Sequence, residues 1–102
     1  MLNNTCGVND KMIILPIKKK WFKMIKAGEK KEEYREIRLY YNSRFTPFLK
    51  SYAPIHVRFR NGYSRQSPYV DVLCWVSIGE GLEKWGAQTG KEYYILHIEK
   101  VY

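Results

Sequence analysis

Residues 12–35 read MIILPIKKKWFKMIKAGEKKEEYR, and the changes of pattern within them decide the fold. Residues 12–17 are apolar and rich in isoleucine, which predicts a short, largely buried strand with Pro16 at its end or on an edge. From 18 to 27 the period changes. Trp21, Phe22, Met24 and Ile25 form a stripe at i, i+3, i+4 spacing, while Lys19, Lys20, Lys23 and Lys26 occupy the other faces. Gly28 follows where a helix C-cap belongs, so the spacing predicts an amphipathic helix over 18–27 with its aromatic residues in the core. Residues 31–37 then read as a short strand.

Outward from that stretch, Tyr41, Phe45 and Phe48 recur at i, i+4, i+7 and predict a short helical turn that Pro47 disturbs. Residues 55–60 alternate, with Ile55, Val57 and Phe59 on one face and His56, Arg58 and Arg60 on the other. Asn61-Gly62 signals a turn, in a loop reaching Pro68 that is too long for a two-residue hairpin. Residues 69–78 form a long β-branched and aromatic strand, Gly79, Gly81, Gly86 and Gly90 mark an irregular stretch, and 92–102 alternate again. The pattern predicts an α+β fold: a small, mostly antiparallel β-barrel of about five strands, with one main amphipathic helix and a second short helix.

At 102 residues and 12.2 kDa, the length fits one domain, placed at 11–102 behind a flexible polar leader at 1–10. Hydrophobic residues at 45% exclude a disordered chain, and no apolar run approaches the ~18 residues of a membrane helix. The polar N-terminus lacks the apolar centre of a secretory signal, so the expected location is the cytoplasm. Cys6 lies in the leader and Cys74 in an apolar run, so neither a disulfide nor a zinc site is expected, and no cofactor is implied. The net charge of +8 is uneven. Residues 11–65 hold nine lysines and all six arginines against four glutamates, while the acids outnumber the cations after residue 65. A concentrated basic patch is the electrostatic footprint of a phosphate-bearing partner, RNA or a nucleotide.

Gly28, Lys30, Glu33 and Arg35 match the pattern G-x-K-x-x-E-x-R between the helix and the next strand. Glu33 and Arg35 are two apart, so on a strand they share a face, where they pair or grip a ligand together. Lys30, at the turn, is free of that alternation and can point to the same place. Ammonium, carboxylate and guanidinium fork together suit a nucleobase edge beside a phosphate.

The motif, with ILPIKKKWFKMIKAGEKKEEYREI, VRFRNGY, VSIGEG and GKEYYILHI, resembles the ASCH domain, a branch of the PUA-like β-barrel superfamily in a bacterial and phage-associated form. The resemblance covers residues 12–101. It implies a cleft between helix and barrel that binds RNA or nucleotides, with Lys30, Glu33 and Arg35 at its centre. Some relatives are amidohydrolases of acylated cytidine that use a lysine, a threonine and a glutamate, and a ribonuclease activity is also attributed to the family. The lysine corresponds to Lys30 and the threonine to Glu33, so the hydroxyl nucleophile is missing.

The expected function is therefore binding of RNA or a nucleotide. Lys30, Arg58 and Arg60 would hold phosphates, Glu33, Arg35 and Asn61 would contact the ligand, and Tyr34 and Tyr63 would stack on bases. Arg65 and Lys18 to Lys20 would extend the basic rim, and Tyr69 and Trp85 are further candidates for stacking. The alternative is a small hydrolase of a modified nucleoside or of RNA, with Glu33 as general base, Lys30 or Arg35 stabilising the oxyanion and Glu80 as a second carboxylate.

Overall fold

The alternating stretches pair into a single five-stranded sheet in the computed structural model, which describes residues 12–49 and 53–102. The leader expected over 1–10, with Cys6, lies outside the described residues. β1 (Ile13–Pro16) leads into α1 (Lys19–Lys26), followed by β2 (Glu32–Arg35) and α2 (Leu39–Leu49). The second half supplies β3 (Ile55–Arg60), β4 (Tyr69–Glu80), a 3-10 turn (Glu83–Trp85) and β5 (Glu92–Val101). Sheet order is β1-β3-β4-β5-β2, with β1 parallel to β3 and every other pairing antiparallel. This is the α+β, two-helix architecture that the patterning predicts. The sheet curls into a half-barrel whose edge strands, β1 and β2, do not pair with each other.

Alternation decides what fills the concave side. Val57 lies opposite Val72, Phe59 opposite Val70 and Val76 opposite Leu96, all buried. Phe22 and Ile25 of α1 and Tyr41 and Phe45 of α2 cap this interior. Phe45 stacks on Tyr41 with ring centroids 5.8 Å apart. Cys74 sits in the same core, where burial pushes its thiol up to about 12 and leaves it a small hydrophobe. Among the described residues no helix is long and apolar enough to cross a membrane.

Three elements differ from the sequence expectation. α2 runs 11 residues and continues through Pro47, because the missing N–H removes a single helical bond while Tyr41 and Phe45 anchor the helix to the core. β2 is shorter than 31–37 and stops at Arg35, where the chain leaves the edge of β5. β4 continues through Gly79, so Glu80 is an exposed strand residue opposite Glu92 and not a turn residue.

α1 is held by packing rather than by its own sequence. Its N-cap, Lys18, makes no side-chain capping bond, and no acid stands in its first turn. Lys19 and Lys20 sit there instead, opposed by the positive end of the helix dipole. Lys19 also repels Lys23 one turn on; such pairs cost a helix about 0.2–0.5 kcal/mol. Replacing Lys19 by Glu removes both penalties and creates a favourable i, i+4 pair with Lys23. The expected outcome for Lys19→Glu is a melting temperature about 2–4 °C higher. An unchanged or lower value by calorimetry would refute this account of the helix.

Candidate nucleic-acid interface

Gly28 adopts φ 80°, and the N–H groups of Glu29 and Lys30 both donate to the Met24 carbonyl, folding the chain back against the last turn of α1. Lys30 is thereby turned inward, only 1% exposed. Its Nζ donates to the carbonyls of Glu32 (2.5 Å) and Trp85 (3.2 Å) and pairs with Glu33 Oε1 at 3.2 Å. The rings of Trp21, Tyr34 and Trp85 surround it at 5.0, 5.0 and 5.9 Å. Burial pushes the Lys30 pKa below its ordinary value, and Glu33 opposes that shift. Three acceptors and three ring faces form an environment for an ammonium whose every hydrogen is used.

Register places the rest of the motif. Glu33 lies opposite Leu96 and Arg35 opposite Tyr94, so both point to the concave side at the sheet's open edge. Glu33 Oε2 accepts from Arg35 Nε (3.0 Å) and Nη2 (2.8 Å). Arg35 also donates from Nη2 to the Pro16 carbonyl at 2.8 Å and from Nη1 to the Tyr41 hydroxyl at 3.2 Å. A side chain thus spans the gap between β2 and β1 that no ladder closes.

Above this buried group lies a cleft of about 660 Å³. Glu33, Tyr34 and Arg35 line it, but Lys30 does not. The start of α1 contributes Lys18, Lys19 and Trp21, and Arg38 and Tyr41 line it further. Asn61, Gly62 and Tyr63, from the loop that follows β3, complete it. Asn61 N–H donates to the Pro68 carbonyl at 2.8 Å, and Gly62 has φ 134° with Ser67 Oγ 2.5 Å from where a Cβ would stand. The loop leaves Tyr63 90% exposed and the Asn61 carboxamide without a hydrogen bond among the described residues.

Several expected site residues lie elsewhere. Because Val57 and Phe59 fill the core, alternation sends Arg58 and Arg60 to the opposite face, and neither lines the cleft. Arg58 forms two bonds to Asp71 (2.7 and 3.0 Å) and lies 3.8 Å from the Tyr69 ring centroid. Glu80, Arg65, Lys20, Tyr69 and Trp85 are also absent from the cleft lining, and Trp85 instead contributes its carbonyl to Lys30. Sequence reading missed Arg38 and Tyr41, and it assigned Trp21 wholly to the core. Trp21 is half-buried, with one face against Gly86 and Lys30.

A second polar chain runs along the outer face. Ser77 Oγ and His97 Nε2 are 2.7 Å apart, His97 Nδ1 is 3.7 Å from Glu32, and Tyr34 donates to Glu32 at 2.7 Å. Trp75 stacks on His97 at 3.8 Å. Burial holds His97 below the usual histidine range, against the pull of Glu32. Among the described residues no three His, Cys, Asp or Glu side chains gather into a metal site. Compared with protein-family models, with curated proteins and with solved structures, the chain matches none of them.

Two outcomes test these networks. Glu33→Ala leaves Lys30 and Arg35 buried without their carboxylate and should cost about 3–5 kcal/mol in urea denaturation; a loss under 1 kcal/mol would place Glu33 outside the stabilising group. For His97, the unfolded chain binds more protons than the native one between the lowered native pKa and 6.5. Stability therefore falls as pH drops below about 6.5 and levels off below the native value. His97→Gln should flatten that part of the stability profile; an unaltered slope would sink the assignment.

Proposed function

We propose that this protein binds single-stranded RNA through the cleft between the start of α1 and the 61–63 turn, as a small module of the ASCH, PUA-like kind. One observation carries the reading: exposed Lys18, Lys19 and Arg38 line the same cleft as the exposed ring of Tyr63. The cations suit phosphates, whose neutralisation releases counterions. Tyr63 offers a stacking face to an unpaired base. The free Asn61 carboxamide supplies a donor and an acceptor for the base edge. Lys30 belongs to the floor's support rather than to the ligand's contacts, and Arg58 is neutralised by Asp71.

The hydrolytic alternative finds less support. Lys30 is fully engaged and excluded from the cleft, and both oxygens of Glu33 are held by cations. Glu80 lies outside the lining.

Binding of a fluorescein-labelled, mixed-sequence RNA octamer, followed by anisotropy at several salt concentrations, tests the reading. Tyr63→Ala should weaken binding about tenfold or more through lost stacking. Arg38→Ala should lower the salt slope by about 0.7. Both side chains are exposed, so melting temperatures should not move. Unchanged affinity in both variants would overturn the cleft as the RNA site.

A further inference from the structure

We infer that the outer row of α1, Lys19, Lys23 and Lys26, is a phosphate track along which an RNA strand leaves the cleft, so that the ligand is a strand and not a mononucleotide. This rests on the cleft reading above. The three lysines stand at i, i+4 and i+7, share one exposed face, and begin with Lys19, which lines the cleft. At 1.5 Å per residue the row is about 10 Å long. That matches roughly three nucleotides at the ~3.4 Å axial spacing of a stacked strand.

Electrostatics sets this helix apart. Lys18, Lys19, Lys20, Lys23 and Lys26 fall within nine residues, and among the described residues none has a carboxylate within ion-pair distance. Lys30, Arg35, Arg58 and Lys91 each have one. Like charges repel along this row, and Lys19 and Lys20 oppose the dipole at its start, whereas Lys23 and Lys26 stand in the last turn, where the dipole favours them. A row of five like charges with no carboxylate partner among the described residues points to a polyanionic partner. An anionic membrane fits less well, because the apolar face such a helix would insert is already used: Phe22 and Ile25 are buried in the core.

The test compares mixed-sequence RNAs of two, four, eight and twelve nucleotides on the wild type and on Lys23→Gln/Lys26→Gln, neither of which lines the cleft. A control, Lys84→Gln/Lys100→Gln, removes the same charge elsewhere. Wild-type affinity should rise steeply from two to eight nucleotides. In the α1 variant the octamer should bind about tenfold more weakly, with a salt slope lower by about 1.4, while the dinucleotide is unaffected. An octamer no tighter than the dinucleotide would overturn the track and leave the cleft standing. Equal losses in the control would reduce the effect to net charge and overturn it too. Absence of binding at every length would overturn the cleft reading itself. Loss of binding to phosphatidylserine vesicles in the α1 variant, with RNA binding intact, would reassign the face to a membrane.

Discussion

The Lys30 ammonium is the point at which this fold is tied together. It reaches the β2 backbone at Glu32, the 3-10 turn at Trp85 and the carboxylate of Glu33, while Trp21 brings α1 against the same group. Three elements, α1, β2 and the 3-10 turn 55 positions away at Trp85, thus meet on one charge. Taking that charge out of water carries a large desolvation cost, which is offset only when each hydrogen finds an acceptor. The dependence of neighbouring features follows. Gly28 takes a positive φ to turn Lys30 inward, and Gly86 adopts φ 102°, a left-handed backbone that favours glycine, with Trp21 3.0 Å from where a Cβ would stand. Gly81 must lack a side chain because of Tyr34, whose ring would be met at 2.5 Å.

From this charge the order passes to the sheet's edges. Glu33 receives Lys30 on one oxygen and Arg35 on the other, and Arg35 carries the connection to the Pro16 carbonyl and the Tyr41 hydroxyl. Edge strands left unpaired invite association with other chains unless something covers or interrupts them. Here a guanidinium spans the gap. A ladder between β1 and β2 would draw the strands together, whereas a side chain holds them apart, and the space so kept is the cleft. The same residues that complete the fold therefore shape a concave, basic and aromatic surface.

How much of this was legible beforehand depends on whether a feature is local. Alternation in 55–60 and 92–102, the stripe of α1 and the Gly28 cap are written within a few residues, and they gave the strands and the helix nearly to their ends. That Glu33 and Arg35 share a face follows from the period of a strand. Which face it is does not, because it depends on the pairing of Glu33 with Leu96, 63 positions away. The same lack of tertiary information hid the burial of Lys30 beneath the cleft. Two of its acceptors stand two and three residues on, in β2, but the Trp85 carbonyl and the rings that enclose the ammonium reach it only through folding. Arg58 and Arg60 show the opposite case: their alternation with Val57 and Phe59 was readable, but the cleft's position on the other side was not. Arg38 and Tyr41 left no signal, since they enter the lining through the join between β2 and α2.

The two halves of the basic character thus have different physical meanings. Lys30 and Arg35 are buried, saturated and matched to Glu33, and their charges are spent on the fold. Those of α1 are exposed and unmatched by a carboxylate among the described residues; they repel one another, Lys19 and Lys20 also oppose the helix dipole, and Phe22 and Ile25 hold the helix regardless. A stabilising charge is recognised by its partners within the chain. A charge whose partner lies outside it is recognised by their absence together with a local cost, and by that criterion the outward-facing field of this protein begins at the cleft and runs along α1.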